Sequence, residues 1–238
     1  MHFYRALGPV AALTFDLDDT LYDNQPVIQR TEHESLAFLR DNYEPLSHFG
    51  PAEWKTLRAE LRLRDPEIYH DVTRWRWLSI HLALTRAGYD DRQATQAADT
   101  AMDNFARWRS CVTVPEETHR TLRALAEKVP LAAITNGNAN PALFGLSDYF
   151  RFVLRSGPDG RAKPYADMYR TAADKLKMPL ARILHVGDDL TTDVAGAVRC
   201  GMQSCWINDH YRSLTKADDG RLLPHVEISR LDSLTALI

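Results

Sequence analysis

Ala11-Ala12-Leu13-Thr14-Phe15-Asp16-Leu17-Asp18-Asp19-Thr20 is a short apolar run that ends in three carboxylates within four positions. The run is too short for a typical helix and almost wholly apolar, as expected of a strand buried on both faces. Three neighbouring carboxylates repel one another and are costly to hide in a core, so a cation is their natural counter-charge. A hard ion such as Mg2+ takes oxygen ligands and keeps several waters, which leaves room for a substrate phosphate. On this reading Asp16 is a nucleophile toward phosphorus. Asp18 protonates the leaving oxygen and later activates a water.

Similar apolar runs follow along the chain. Leu131-Ala132-Ala133-Ile134 leads into Thr135-Asn136-Gly137, Phe152-Val153-Leu154 precedes a Gly/Pro turn, Ile183-Leu184-His185-Val186 leads into Gly187-Asp188-Asp189, and Ser204-Cys205-Trp206-Ile207 follows Gly201. Helical patterns separate them at Glu116 to Lys128, Ala166 to Leu176 and Thr192 to Cys200. The alternation predicts an α/β fold with a Rossmann-like parallel sheet core. The polar groups that end the runs would share the C-terminal edge of that sheet, where open α/β sheets bind ligands.

Three further motifs punctuate this edge. Thr135-Asn136-Gly137 can present a hydroxyl, an amide and backbone donors to phosphate oxygens. Lys163-Pro164 supplies an ammonium, and the proline disfavours helix at the lysine. Gly187-Asp188-Asp189, with Asp193 shortly after, offers Asp188 as the second carboxylate on a metal. Asp189 or Asp193 is then a ligand or an acceptor that orients bound water, and Asp189 is also a candidate helix N-cap.

Residues 23–111 read differently from the core segments 1–22 and 112–238. From about Gln25 to Ser110 the sequence is rich in helix formers and interrupted by Pro45, Pro51 and Pro66. Trp54 to Leu63 and Arg76 to Ala87 carry apolar residues at helical spacing. This predicts an inserted, mostly helical cap domain, with the chain returning to the sheet near Val112 to Val114. In the stretch Tyr69 to Trp77, Arg74 and Trp75 suit a planar substrate group; the alternative is a cap helix with buried tryptophans and solvated arginines.

Composition narrows the function classes. The chain has 238 residues, 45% hydrophobic and 26% charged, the balance of a soluble globular protein. A net charge of −3 gives no pull toward nucleic acid or an anionic membrane, so any phosphate must be held by local donors and a cation. Cys111, Cys200 and Cys205 show no CxxC spacing and are expected as buried free thiols. With neither an export signal nor a membrane anchor in view, the cytoplasm is the expected location, and no obligate protein partner is called for.

The ordered set Asp16-Leu17-Asp18-Asp19-Thr20, Thr135-Asn136-Gly137, Lys163-Pro164 and Gly187-Asp188-Asp189-Leu190-Thr191-Thr192-Asp193 resembles the haloacid dehalogenase-like hydrolase superfamily. The resemblance implies Asp16 as nucleophile and Asp18 as general acid/base. It implies Mg2+ held by Asp16, the backbone carbonyl of Asp18 and Asp188, with the phosphoryl group bound by Thr135, Asn136 and Lys163. It also puts the insertion in the family's first cap position, where a helical cap closes over the site. Thr14 to Tyr22, Tyr69 to Trp75, Ile134 to Asn138 and His185 to Asp193 together resemble bacterial phosphatases of riboflavin biosynthesis. These act on 5-amino-6-(5-phospho-D-ribitylamino)uracil and also accept FMN. The expected substrate is therefore a small phosphorylated metabolite. Other sugar phosphates or nucleotides, a phosphomutase reaction, and a phospho-acceptor regulatory or ligand-binding module are the alternatives. Dehalogenation, the reaction that names the superfamily, needs neither Mg2+ nor an acid at Asp18.

Overall fold

The computed structural model describes residues 1–210, 214 and 222–238. Its centre is a seven-stranded sheet. The strands are β1 (His2–Phe3), β2 (Ala12–Phe15), β3 (Leu131–Thr135), β4 (Val153–Arg155), β5 (Ile183–Gly187), β6 (Gln203–Ile207) and β7 (Val226–Ile228), in the spatial order β1-β7-β6-β5-β2-β3-β4. All neighbouring pairs are parallel except β1 with β7. The five apolar runs of the sequence are β2 to β6. Every residue of β2, β3, β5 and β6 is buried, which is why these strands lack alternation.

Two features depart from the expectation. The edge strand β1 and its neighbour β7 are too short to show a period-two pattern, and β1 makes the sheet mixed. The stretch Val112 to Val114 forms no strand; it leads directly into helix α5 (Glu116–Ala126), opened by Pro115. Helix α6 (Asp167–Leu176) and helix α7 (Gly196–Cys200) contribute Met168, Tyr169, Ala172 and Ala197 to a core with Ala12, Ile134, Leu154 and Ile183.

The chain divides into two compact units. One holds 1–23, 113–137 and 144–238; the other holds 24–112 and 138–143. The second unit is built from α1 (Gln25–Asn42), α2 (Pro51–Arg64), α3 (Val72–Arg86) and α4 (Asp91–Arg109). Pro51 stands at the first turn of α2, where its missing N–H is not needed. Asp71 caps α3 by accepting the Arg74 N–H, and Asp90 caps α4 reciprocally with Gln93. Ala94, Ala97, Ala98 and Ala101 recur at helical spacing along α4 and pack close against Leu39, Leu57, Ile80 and Leu84. The short segment 138–143 groups with this unit although it lies far away in sequence.

Among the described residues no helix is long and apolar enough to cross a membrane. Cys205 is buried in β6 and Cys200 is half-buried. Cys111 is exposed, which corrects the expectation of three buried thiols: it lies just past the end of α4, outside both cores.

Candidate active site

β2 lies between β5 and β3, and all three run parallel, so the residues that follow them emerge at one edge. This is also where the chain switches sides. β3 and β4 extend the sheet one way from β2, and β5 and β6 extend it the other. Such a switch point leaves a crevice at the strand ends.

Asp16 continues β2 by donating its backbone N–H to Val186 O at 2.9 Å. Beyond it the chain turns tightly, with Leu21 N–H bonded to Leu17 O at 3.0 Å and Asp19 in the left-handed region at φ 57°. Aspartate tolerates that conformation better than most residues. Asp16 and Asp18 meet different partners. Asp18 accepts a hydrogen bond from the Tyr22 hydroxyl at 2.6 Å. Asp16 accepts one from Lys163 Nζ at 2.6 Å, and the same ammonium reaches Asp193 Oδ1 at 2.6 Å. Lys163 is only 3% exposed, so this is a buried cation clamped between two carboxylates.

The residues around Lys163 are arranged to hold it. Asn136 grips its backbone twice: Lys163 N–H donates to Asn136 Oδ1 at 2.8 Å, and Asn136 Nδ2 donates to Lys163 O at 2.9 Å. The amide read in the sequence as a phosphate donor thus has its carbonyl oxygen and one N–H engaged in positioning the lysine. Thr135 is buried at the end of β3, its Oγ1 accepting the Gly137 N–H at 2.9 Å.

Asp193 has three donors: Lys163 Nζ, His185 Nε2 at 3.1 Å and the Asp189 backbone N–H at 3.0 Å. His185, fully buried on β5, also meets Thr14 Oγ1 at 2.9 Å through Nδ1. Burial pushes the imidazole below its ordinary pKa, against the opposing pull of Asp193. A carboxylate can only accept, so Nε2 carries a proton toward Asp193, while Nδ1 meets the Thr14 hydroxyl. Sequence reading passed over His185 and Thr14 because both sit inside apolar strands. The signal available was a histidine within a run otherwise buried on both faces.

Asp189 accepts from Thr191 N–H at 2.9 Å and Thr192 N–H at 2.6 Å, which makes it the cap of the wide turn Leu190–Ala195 that runs into α7. Asp188 accepts from Thr20 Oγ1 at 3.4 Å, and its carbonyl is fixed by Trp206 Nε1 at 2.8 Å. Gly187 has no side chain for a steric reason, since a Cβ there would overlap the carboxylate of Asp193. Gly187→Ala is expected to displace Asp193 and cost about 1–3 kcal/mol, read as a lower urea midpoint.

Carboxylate oxygens of Asp16, Asp188 and Asp193 lie within 4.8 Å of one another. Among the described residues one ammonium stands against these three carboxylates, a surplus of two negative charges when all are ionised. Burial opposes the charge on Lys163, but Asp16 and Asp193 outweigh it and keep the ammonium protonated above its usual range. Burial alone would favour a proton on Asp193, yet Lys163 and His185 hold it ionised well below the ordinary carboxylate range. Asp16 is pushed up by burial and by the Asp193 and Asp18 charges, with Lys163 opposing. A divalent cation beside Asp16 and Asp188 matches this surplus, and an all-oxygen donor set suits Mg2+. Asp193, already met by three donors, is better fitted to hold Lys163 than to ligate.

In the cap unit, Trp75 donates its indole N–H to Arg58 O at 3.0 Å, and Arg74 is exposed. Asn138 Nδ2 donates to Thr73 Oγ1 at 3.2 Å.

Residues 10–201 match the family of haloacid dehalogenase-like hydrolases. Over all 238 residues the chain is 59% identical to the 5-amino-6-(5-phospho-D-ribitylamino)uracil phosphatase YigB of Escherichia coli, covering the whole of both proteins. It is 25% identical to the N-acylneuraminate-9-phosphatase of Rattus norvegicus over 98% of this chain and 95% of the rat enzyme. A solved 2-haloacid dehalogenase from Pseudomonas syringae superposes with a TM-score of 0.90 at 34% identity, over 96% of this chain and 97% of that one. With four motifs in order along one sheet edge and a match across most of its length, the chain belongs to the haloacid dehalogenase-like hydrolase family.

Proposed function

We propose that the protein is a Mg2+-dependent phosphatase of small phosphorylated metabolites that works through a phospho-aspartate on Asp16. The observation that carries this reading is the buried Lys163 ammonium bridging Asp16 and Asp193, with Asp188 close by. The lysine holds the Asp16 carboxylate in one orientation and counters phosphoryl charge. Positioning and charge neutralisation are the main demands of phosphoryl transfer.

In the first half-reaction an Asp16 carboxylate oxygen forms a bond to phosphorus. The bond from phosphorus to the ester oxygen breaks, and Asp18, starting protonated, gives that oxygen its proton. In the second, Asp18, now a carboxylate, takes a proton from water as the water oxygen bonds to phosphorus and the acyl-phosphate bond breaks. Asp16 is regenerated and phosphate leaves. Tyr22, bonded to Asp18 Oδ1, sets the direction of that carboxyl group. The Thr135 hydroxyl, whose oxygen accepts the Gly137 N–H, keeps its proton for a phosphoryl oxygen, while Asn136 fixes Lys163 and keeps its second amide N–H for the phosphoryl group. Mg2+, held by Asp16, Asp188 and the carbonyl of Asp18, would offset charge on the phosphoryl oxygens.

The Escherichia coli relative, 59% identical over its full length, makes 5-amino-6-(5-phospho-D-ribitylamino)uracil the first substrate to test; FMN, which the sequence resemblance implies, is the second. The Pseudomonas syringae structure favours a second reading, dehalogenation. Dehalogenation has no use for a proton donor at Asp18 or a cation at Asp188, and both residues are present here.

The test is phosphate release from the ribitylaminouracil phosphate, FMN, sugar phosphates and nucleotides, with Mg2+ and with chelator. Release from the first substrate is expected to exceed the others, and chelator is expected to reduce it at least about 100-fold. Chelator-resistant release would remove the metal from the reading. Chloride release from 2-chloropropionate without phosphate release would replace the phosphatase with a dehalogenase.

A further inference from the structure

The helical cap unit contains a cavity of its own, about 230 Å³ in volume, lined by residues of α1, α2 and α3 alone. It is larger than the ~150 Å³ apolar cavity that suffices for a benzene ring. Leu36, Leu39, Pro51, Trp54 and Ile80 form its apolar walls. Among the polar residues that also line it, Ser35 and Arg58 stand out. Ser35 is 6% exposed, and its Oγ finds no hydrogen-bond partner among the described residues. Arg58 is half-buried, and its guanidinium forms no ion pair or hydrogen bond among the described residues.

The neighbouring charges show which sign of ligand fits. Arg76 also lines the cavity, but Glu32 already pairs with it, and its guanidinium lies 4.0 Å from the Phe105 ring centroid. Glu32 is paired directly with Arg76 and acts on Arg58 only at longer range, which leaves the Arg58 guanidinium without a direct counter-ion among the described residues; His33 also lines the cavity and brings no negative charge. Burial and the nearby Arg76 both disfavour the Arg58 charge, with Glu32 partly opposing. A half-buried guanidinium beside an indole and aliphatic side chains, with a hydroxyl lacking a partner, is an arrangement that one carboxylate on a planar apolar body would complete. A phosphate dianion would meet Glu32 with only one unpaired cation to balance it.

We infer that the cap unit carries a binding site for an aromatic monocarboxylate, seated between α1, α2 and α3 with its carboxylate on Arg58. The inference does not rest on the phosphatase reading. It is tested on the full chain by calorimetry and ligand-observed NMR with benzoate, salicylate and 1-naphthoate. One equivalent of at least one of these is expected to bind. Arg58→Gln should weaken it at least about tenfold, as the loss of a charge-assisted hydrogen bond requires, and Arg58→Lys should weaken it less. Asp16→Asn should leave the affinity unchanged, and excess inorganic phosphate should not displace the probe. Thermal melts of both Arg58 variants check that the fold is kept. Failure of all three probes to saturate would overturn the site. So would equal affinity in Arg58→Gln, or displacement by phosphate, which would put the ring among the catalytic carboxylates instead.

Discussion

Asp16→Asn protein is expected to fold as well as the parent and to release phosphate at least about 10⁴-fold more slowly. The substitution keeps the size and planarity of the side chain. Its Oδ1 can still accept the Lys163 hydrogen bond now made at 2.6 Å, so the lysine stays in place. What is lost is the anionic oxygen that bonds to phosphorus. The change also removes one of three carboxylates that share a single ammonium, so urea unfolding should show stability equal to or above the parent. Brief incubation with radiolabelled substrate followed by acid quench should leave label on the parent chain and none on the variant. Near-parental turnover by an Asp16→Asn preparation free of contaminating phosphatase would sink the covalent mechanism.

The site's members were legible in the sequence, whereas their division of labour was not. Asp16, Thr135, Lys163 and Asp188 each announce themselves locally, as polar groups at or beyond the ends of apolar runs, and a parallel sheet brings such ends to one edge. Which of them touch depends on strand order and register, and single-sequence periodicity carries neither. Asn136 reads as a phosphate donor, and only the fold shows that the loop between β4 and α6 also delivers Lys163 to its amide. Asp193 reads as a possible ligand until Lys163, His185 and the Asp189 N–H are all found on it. β1 and β7 span two and three residues, fewer than one full alternation needs, so their pairing was hidden. The helical character of 24–112 was plain from composition and proline placement, because caps and apolar spacing are local properties.

Lys163→Met is expected to damage both stability and turnover, and the two losses separate by pH. The ammonium is the only cation found on Asp16 and Asp193 among the described residues, and all three groups are buried. Removing one partner of a buried ion pair leaves the other as an uncompensated charge, at a cost of about 3–5 kcal/mol. Methionine fills much of the lysine's volume, so the loss reports charge more than packing. With the ammonium gone, Asp16, already raised in the parent by burial, is raised further, and Asp193 loses the main charge that holds it low. A carboxyl group raised in this way favours the folded state at low pH and loses that advantage as pH rises through the folded value. In the parent, Asp193 is held low by Lys163 and His185, so its contribution is present above the unfolded value and fades on acidification. Both effects run in one direction: the stability gap between variant and parent, measured in urea, should be widest near neutral pH and narrow under mild acid. Turnover should not recover along with stability, because the phosphoryl group still lacks its buried cation and Asp16 has lost its tether. A loss of about 10²–10³-fold is expected to persist where the variant is best folded. If the gap were independent of pH, Lys163 would be acting through packing and not through charge. If turnover rose to the parental level as stability recovered, the lysine would be a structural strut with no part in the chemistry.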